Sequence, residues 1–302
     1  MFDASTLERA TDIGHYARTM PSLLGPPRIR ELAAHLGLTP TKKLGQNFVH
    51  DPNTVRRIVA AADVAPGEHI VEIGPGLGSL TLGLIEAGAS VVAVELDGRL
   101  AELLPATAAA QGVPAHSLQV VHADALHVDA LPPGPEGRPP VALVANLPYN
   151  VSVPVLLHFL ERFPTLERAL VMVQAEVGHR LAAAPGSKVY GSPSAKAAWY
   201  ADVRIAGPVS RQVFWPVPNV DSVLVRLDRR PEPGDEAERL ATFRLIDAAF
   251  GQRRKMLRQS LQGVLGTDAA AVIERAGLDP TARGEALDVG AFLAIARSSR
   301  VA

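Results

Sequence analysis

The sequence predicts an α/β fold: a doubly wound, mainly parallel sheet of seven strands with helices on both faces, followed by a small all-α domain. Three observations predict it. From His69 to Val173, short apolar runs alternate with stretches of helical periodicity, the pattern of parallel strands joined by helical crossovers. A glycine-rich turn, Gly74-Pro-Gly76-Leu-Gly78, lies between the first such run and the helix after it. Beyond Arg239 only helical patterns remain.

Residues 1–41 read as an N-terminal extension, helical over Pro27 to Leu38, where Ile29, Leu32, Ala33 and Leu36 share a face and Gly37 and Pro40 are stop signals. Residues 42–230 form the sheet domain. Asp51-Pro52 opens a helix to about Ala62, with Asp at the cap and Pro at the first helical position. His69–Ile73, Ser90–Val94, Leu118–Val121, Val141–Ala145 and Ala169–Val173 are the five parallel strands. Between and after them, Leu77 to Ala87, Leu96 to Gln111, Pro154 to Phe163, Glu176 to Ala184 and Ser192 to Tyr200 are helical, and Pro132 to Pro140 is a surface loop. Ala201–Ala206 and Ser222–Leu227 alternate like a closing strand pair around the aromatic, proline-rich loop Phe214-Trp-Pro-Val-Pro218. The polar, proline-rich Arg230 to Glu238 suits a linker into the helical domain, residues 231–302.

Composition narrows the function classes. At 47% hydrophobic and 20% charged, with a formal net charge of -1, the 302-residue chain is a soluble globular protein rather than a uniformly basic nucleic-acid coat. It has no cysteine, so neither a disulfide framework nor a thiolate metal site exists, as befits a reducing cytoplasm, and its nine histidines show no ligand spacing. No metal is expected. No apolar run is long enough to span a membrane, and the first twenty residues carry acids and lack the apolar core of a secretory signal. A monomer is the default.

The strand ends carry the chemistry. A glycine turn alone is a tight turn as readily as a ligand loop. The dinucleotide spacing G-x-G-x-x-G fails, because its third glycine falls on Ser79 or Thr81. Glu72, just before the loop, would repel a pyrophosphate but tolerate a cation such as the sulfonium of S-adenosylmethionine. Glu95, about 20 residues on at the next strand end, is placed to accept from both ribose hydroxyls. Asp124, past the third strand, suits the adenine amine, although alone it would more often be a loop or cap residue. In order at successive strand ends, Glu72, Gly74, Gly76, Glu95 and Asp124 read as a methyl-donor site.

Asn146-Leu147-Pro148-Tyr149 ends the fourth strand. An exocyclic amine conjugated to a ring is a poor nucleophile, and alignment with acceptors that hold both its hydrogens helps it more than a strong base does. The Asn146 side-chain oxygen and the Leu147 carbonyl suit those roles. Pro148 biases Leu147 toward an extended conformation. Tyr149 can stack on the base, with Phe214 the candidate for its other face. Such a base must first leave its nucleic-acid stack. Lys42-Lys43 are either phosphate contacts or a solvated basic pair. Ala248 to Thr267 holds Arg253, Arg254, Lys255 and Arg258 and no acid, and reads as an amphipathic helix with Lys255 and Arg258 on one face; such a basic side is often just solvated, but its concentration in a chain of net charge near zero points more to phosphate contact.

With these residues in hand the chain resembles the ribosomal RNA adenine dimethyltransferase family, of the KsgA/RsmA type. The resemblance runs from about Leu44 to Leu261 through Leu44-Gly-Gln-Asn-Phe48, Glu72-Ile-Gly-Pro-Gly76, Val94-Glu-Leu-Asp97, Asp124-Ala125, Asn146-Leu-Pro-Tyr149, Val220-Asp-Ser-Val223 and Phe250 to Leu261. It implies the Rossmann-like fold of class I S-adenosylmethionine-dependent methyltransferases. It also implies dimethylation of two adjacent adenosines near the 3′ end of 16S rRNA in an assembling small subunit. By position it sets the cofactor against Asn47, Val49, Gly74, Glu95, Asp124 (with Ala125 beside it) and Asn146, so that the Leu44 to Val49 loop folds over the methionine end. Trp215, Val217 and Asn219 depart from the family's usual loop. The rivals are a 23S rRNA adenine methyltransferase of the macrolide-resistance type, a non-catalytic RNA-binding assembly factor, and a nicotinamide oxidoreductase. The failed glycine spacing and Glu72 weigh against the last.

Overall fold

The computed structural model describes residues 21–37 and 47–300. The expectations for Lys42, Lys43 and the Leu44 to Gln46 stretch lie outside the described residues, as does most of the N-terminal extension. Within it, α1 spans Pro26–His35 and buries Ile29, Leu32 and Ala33.

The elements then follow in order: β1 (Phe48–Val49), α2 (Pro52–Ala61), β2 (His69–Ile73), α3 (Ser79–Glu86), β3 (Ser90–Glu95), α4 (Gly98–Ala110), β4 (Leu118–His122), β5 (Ala142–Asn146), α5 (Ser152–Arg162), β6 (Arg168–Gln174), α6 (Ala175–Leu181), α7 (Ser192–Tyr200), β7 (Ala201–Val209), β8 (Phe214–Trp215) and β9 (Ser222–Arg229). α8 (Glu236–Gly251), α9 (Leu257–Ser260), α10 (Gln262–Leu265), α11 (Ala269–Arg275) and α12 (Val289–Ser299) complete the chain. The seven-stranded sheet has the order β4-β3-β2-β5-β6-β9-β7. β2 to β6 run parallel, while β9 is antiparallel to both β6 and β7. Chain order reverses between β2 and β5, which puts a crevice at the carboxyl ends of the strands on either side.

The apolar runs form strands because both faces of the sheet are covered. Successive side chains of a strand point to opposite faces. Val71 and Ile73 join one buried cluster while Ile70 joins the other. The first cluster runs without a break from the sheet into α8, α11 and α12 through Ile246, Ile273 and Phe292. Rings seal that junction: Trp199 and Tyr200 meet Phe243 edge-on, and Tyr190 meets Phe250. Helix starts follow the sequence signals. Asp51 caps α2 by accepting from the Thr54 N–H at 2.9 Å, and Asp235 and Glu238 form a reciprocal capping box on α8.

Two local expectations are corrected here. The basic run is not one helix: α8 ends at Gly251 and α9 begins only at Leu257. The intervening turn is tied elsewhere, with the Leu257 N–H bonded to the Ala282 carbonyl and the Arg258 N–H to the Pro280 carbonyl. Lys255 therefore lies in the turn and shares no helix face with Arg258. The second correction is β1 and β8. These two-residue strands pair antiparallel, Phe48 opposite Trp215 and Val49 opposite Phe214, where the sequence shows only loops.

Candidate active site

Parallel pairing brings the ends of β2, β3, β4 and β5 to one edge of the sheet, around a cavity of about 310 Å³. That volume suits a small-molecule site. All the residues expected to meet a cofactor line it: Asn47, Val49, Glu72, Gly74, Gly76, Glu95, Asp124, Ala125 and Asn146.

The glycine turn is built for close approach. Gly74, Gly76 and Gly78 have φ of 67°, 57° and 94°, in the left-handed region where a Cβ is strained. A Cβ on Gly76 would also lie 2.9 Å from the Phe48 ring. A Cβ on Gly74 would stand 3.8 Å from Pro148 and 3.9 Å from the Asn146 carbonyl, so the glycine turn runs beside the Asn-Leu-Pro-Tyr stretch.

Four carboxyl groups line the cavity, Glu72, Glu95, Asp97 and Asp124, and no basic side chain does among the described residues. Glu72 is only 1% exposed. Burial pushes its carboxyl up to about 8; the Thr81 hydroxyl, donating at 2.6 Å, pulls it back and neighbouring Glu95 pushes it further up. Glu95 accepts the Gly76 N–H at 3.1 Å and the Asp97 N–H at 2.9 Å, one on each oxygen, so the carboxylate joins the glycine turn to the end of β3. Burial raises its pKa against the pull of those bonds. Asp124 acts as a cap, its carboxylate accepting the Leu126 N–H at 2.9 Å with His127 3.3 Å away, while still lining the cavity. An anionic diphosphate would meet four acids here. A ligand with a cationic centre and flat apolar parts fits, and S-adenosylmethionine is such a ligand. Glu95 and Asp124 would hold its hydroxyl and amine groups, and Glu72 would face its charge.

On the acceptor side, the Asn146 amide donates to the Asn47 carbonyl at 3.1 Å. Leu147 is buried and its N–H is bonded to the Met172 carbonyl, whereas no backbone N–H among the described residues is bonded to its carbonyl. Tyr149 is partly buried beside the cavity, its hydroxyl 2.9 Å from that of Ser222 on β9. Burial raises the phenol's pKa.

The stacking role expected of Phe214 is corrected. Its ring is 0% exposed, in the cluster of Phe48, Val49, Val209 and Leu224, and presents no face to a base. The partly exposed ring of that loop is Trp215, stacked on Phe48 at 6.4 Å. The basic residues also divide. Arg253 bonds to Glu285 at 2.9 Å and to the Lys188 carbonyl at 2.8 Å, so it ties the turn down; Arg254, Lys255 and Arg258 are exposed.

Among the cavity residues to which sequence reasoning assigned no role of their own, Leu96, Phe48 and Ser79 stand out. Leu96, 57% exposed, offers an apolar face beside Glu95, and the outward position of a leucine directly after a strand was its only signal. Phe48 closes over Gly76. Ser79 donates from a buried hydroxyl to the Val49 carbonyl at 2.6 Å, and no local pattern marks it. Among the described residues no group of three or more His, Asp or Glu side chains could hold a metal, and no helix is long and apolar enough to cross a membrane.

Comparison with known proteins agrees with this geometry. Residues 38–300 match the family described as ribosomal RNA adenine dimethylase. Over 279 residues the chain is 64% identical to the ribosomal RNA small subunit methyltransferase A of Leifsonia xyli subsp. xyli, covering 91% of this chain and 98% of that one. It is 59% identical to the protein of the same name from Streptomyces coelicolor over 283 residues, 92% and 97% of the two chains. Among solved structures, a dimethyladenosine transferase from Plasmodium falciparum shares the fold with a TM-score of 0.68 at 22% identity, over 82% of this chain and 95% of that one. The 23S rRNA methyltransferase ErmE aligns with a TM-score of 0.61 at 26% identity, over 84% and 100%.

Proposed function

This chain belongs to the ribosomal RNA adenine dimethylase family, and from that premise we propose that it methylates the N6 amines of two adjacent adenosines near the 3′ end of 16S rRNA, in precursor small subunits, giving N6,N6-dimethyladenosine. The carrying observation is that an acid-lined glycine turn lines one cavity together with Asn146 and Pro148, which lie beside it.

S-adenosylmethionine, when bound, supplies an electrophilic methyl group. The chain's own residues do the rest. Glu95 and Asp124 orient, Phe48 and Leu96 cover, and Glu72 offers a carboxyl that ionises beside a cation. The side-chain oxygen of Asn146 and the Leu147 carbonyl accept the two amine hydrogens. They hold the nitrogen lone pair toward the methyl and favour its tetrahedral geometry, and no strong base is required because the proton can leave after transfer. Tyr149, held from β9, gives the base one face. Arg254, Lys255 and Arg258 meet rRNA phosphates. The small-subunit reading is preferred over the 23S one because the relatives at 64% and 59% identity are small-subunit enzymes, against 26% for ErmE.

The test is methyl transfer from labelled S-adenosylmethionine to unmethylated small subunits. Asn146→Ala should abolish transfer while cofactor binding remains; full activity in that variant would remove the acceptor role.

A further inference from the structure

The cover over the cavity, Asn47 to Val49, is held from three sides. The Ser79 hydroxyl, itself 6% exposed, donates to the Val49 carbonyl at 2.6 Å. The β1–β8 ladder and the His50 N–H, bonded to the Val213 carbonyl at 2.9 Å, fix its outer edge. The Phe48 ring lies 2.9 Å from where a Cβ on Gly76 would stand. The same segment also meets the acceptor motif, through the 3.1 Å bond from the Asn146 amide to the Asn47 carbonyl. A carbonyl only accepts, so the NH₂ of Asn146 must be the group that faces it, and the side-chain oxygen faces away. Turned by half a rotation, the carboxamide would present N–H to an amine's N–H, donor against donor.

We propose that Ser79 is a positioning residue for the acceptor: by holding Val49 it fixes the Asn47 carbonyl, which in turn decides which end of the Asn146 carboxamide meets the target amine. The inference rests on the adenine-methylating reading of the site. A bond within the cofactor cover thereby governs the geometry of the nucleophile, a task distinct from walling the cavity. The second methyl transfer depends on it most, because an amine already carrying one methyl has a single hydrogen left to be held.

The test reads the cofactor-free protein first. In ¹⁵N-labelled protein the Asn146 side-chain amide pair, assigned by its disappearance in Asn146→Ala, should show one proton protected by the Asn47 carbonyl. In Ser79→Ala its exchange should quicken about tenfold. At saturating S-adenosylmethionine the transfer rate should fall about five- to tenfold, as for one lost hydrogen bond of about 1 kcal/mol, and N6-monomethyladenosine should accumulate. Ser79→Thr, which keeps the hydroxyl, should retain the protected proton. If Ser79→Ala melts early, Ser79→Cys, with a weak donor of similar size, carries the same readings. Unchanged Asn146 resonances and an unchanged saturated rate, with only a raised KM for the cofactor, would overturn the proposal. Failure of the wild type to methylate adenine would instead remove the function, while the amide resonances still report on the Ser79 to Asn146 link.

Discussion

Glu72 and Thr81 form a sealed pair beneath the glycine turn: the hydroxyl of one donates to the carboxyl of the other at 2.6 Å, and the two residues are 1% and 0% exposed. Glu72 lines a cavity without a basic side chain among the described residues, and burial holds its carboxyl mostly protonated at neutral pH.

That state has a signed consequence for stability. Glu72 titrates near 4.5 when unfolded and at about 8 when folded. Between those values the unfolded chain has released a proton that the folded chain keeps, so the group's contribution is full at low pH and is lost as pH rises through the window. Denaturant unfolding of the cofactor-free protein should show wild type losing stability relative to Glu72→Gln from about pH 5 to about pH 8. A pH-independent difference would contradict the buried, uncompensated carboxyl. Calorimetry in buffers of differing ionisation enthalpy should also show a proton released when S-adenosylmethionine binds near pH 7, and none in Glu72→Gln.

Gly76→Ala should weaken cofactor binding tenfold or more. The new Cβ is strained at φ 57° and meets the Phe48 ring at 2.9 Å, so the cover must lift. The strain costs on the order of 1–3 kcal/mol of stability. Equilibrium dialysis and a melting curve check both parts, and unchanged binding would show that Phe48 does not close the site.

Phe214→Ala should behave as a core deletion, losing about 3–5 kcal/mol because the ring is wholly buried among Phe48, Val49 and Leu224. A variant with an unchanged melting temperature that failed only in RNA methylation would restore the stacking role.

The basic turn should split by function. Arg253→Ala removes the bonds to Glu285 and the Lys188 carbonyl and should lower stability by about 1 kcal/mol. Arg254→Ala with Lys255→Ala should leave the melting temperature alone, weaken rRNA binding, and reduce the slope of log affinity against log salt by about one to two. An unchanged slope would make these residues a solvated face.

The long-period features of this fold were readable in the chain, and the short-range pairings were not. β2, β3 and β5 announce themselves because a strand covered on both faces reads as a mostly apolar run, broken here by site residues such as Glu72. The acids that line the cavity were legible since Glu72, Glu95 and Asp124 recur at successive strand ends, and Asn47 and Val49 came only through family resemblance. β1 and β8 escaped because two residues carry no periodicity, and with them went the burial of Phe214, which only the pairing with Val49 reveals. The break after Gly251 escaped for a related reason. The bonds from Leu257 to Ala282 and Arg258 to Pro280, and the Arg253 ion pair with Glu285, are tertiary and outweigh the helical spacing. Ser79 is the extreme case, a hydroxyl whose partner lies 30 residues away.

The most direct measurement is to incubate the protein with labelled S-adenosylmethionine and unmethylated small and large ribosomal subunits, then map and digest the labelled RNA. Two adjacent N6,N6-dimethyladenosines near the 3′ end of 16S rRNA, absent with Asn146→Ala, are the predicted result. Label confined to 23S rRNA, or on any base other than adenine, would contradict it.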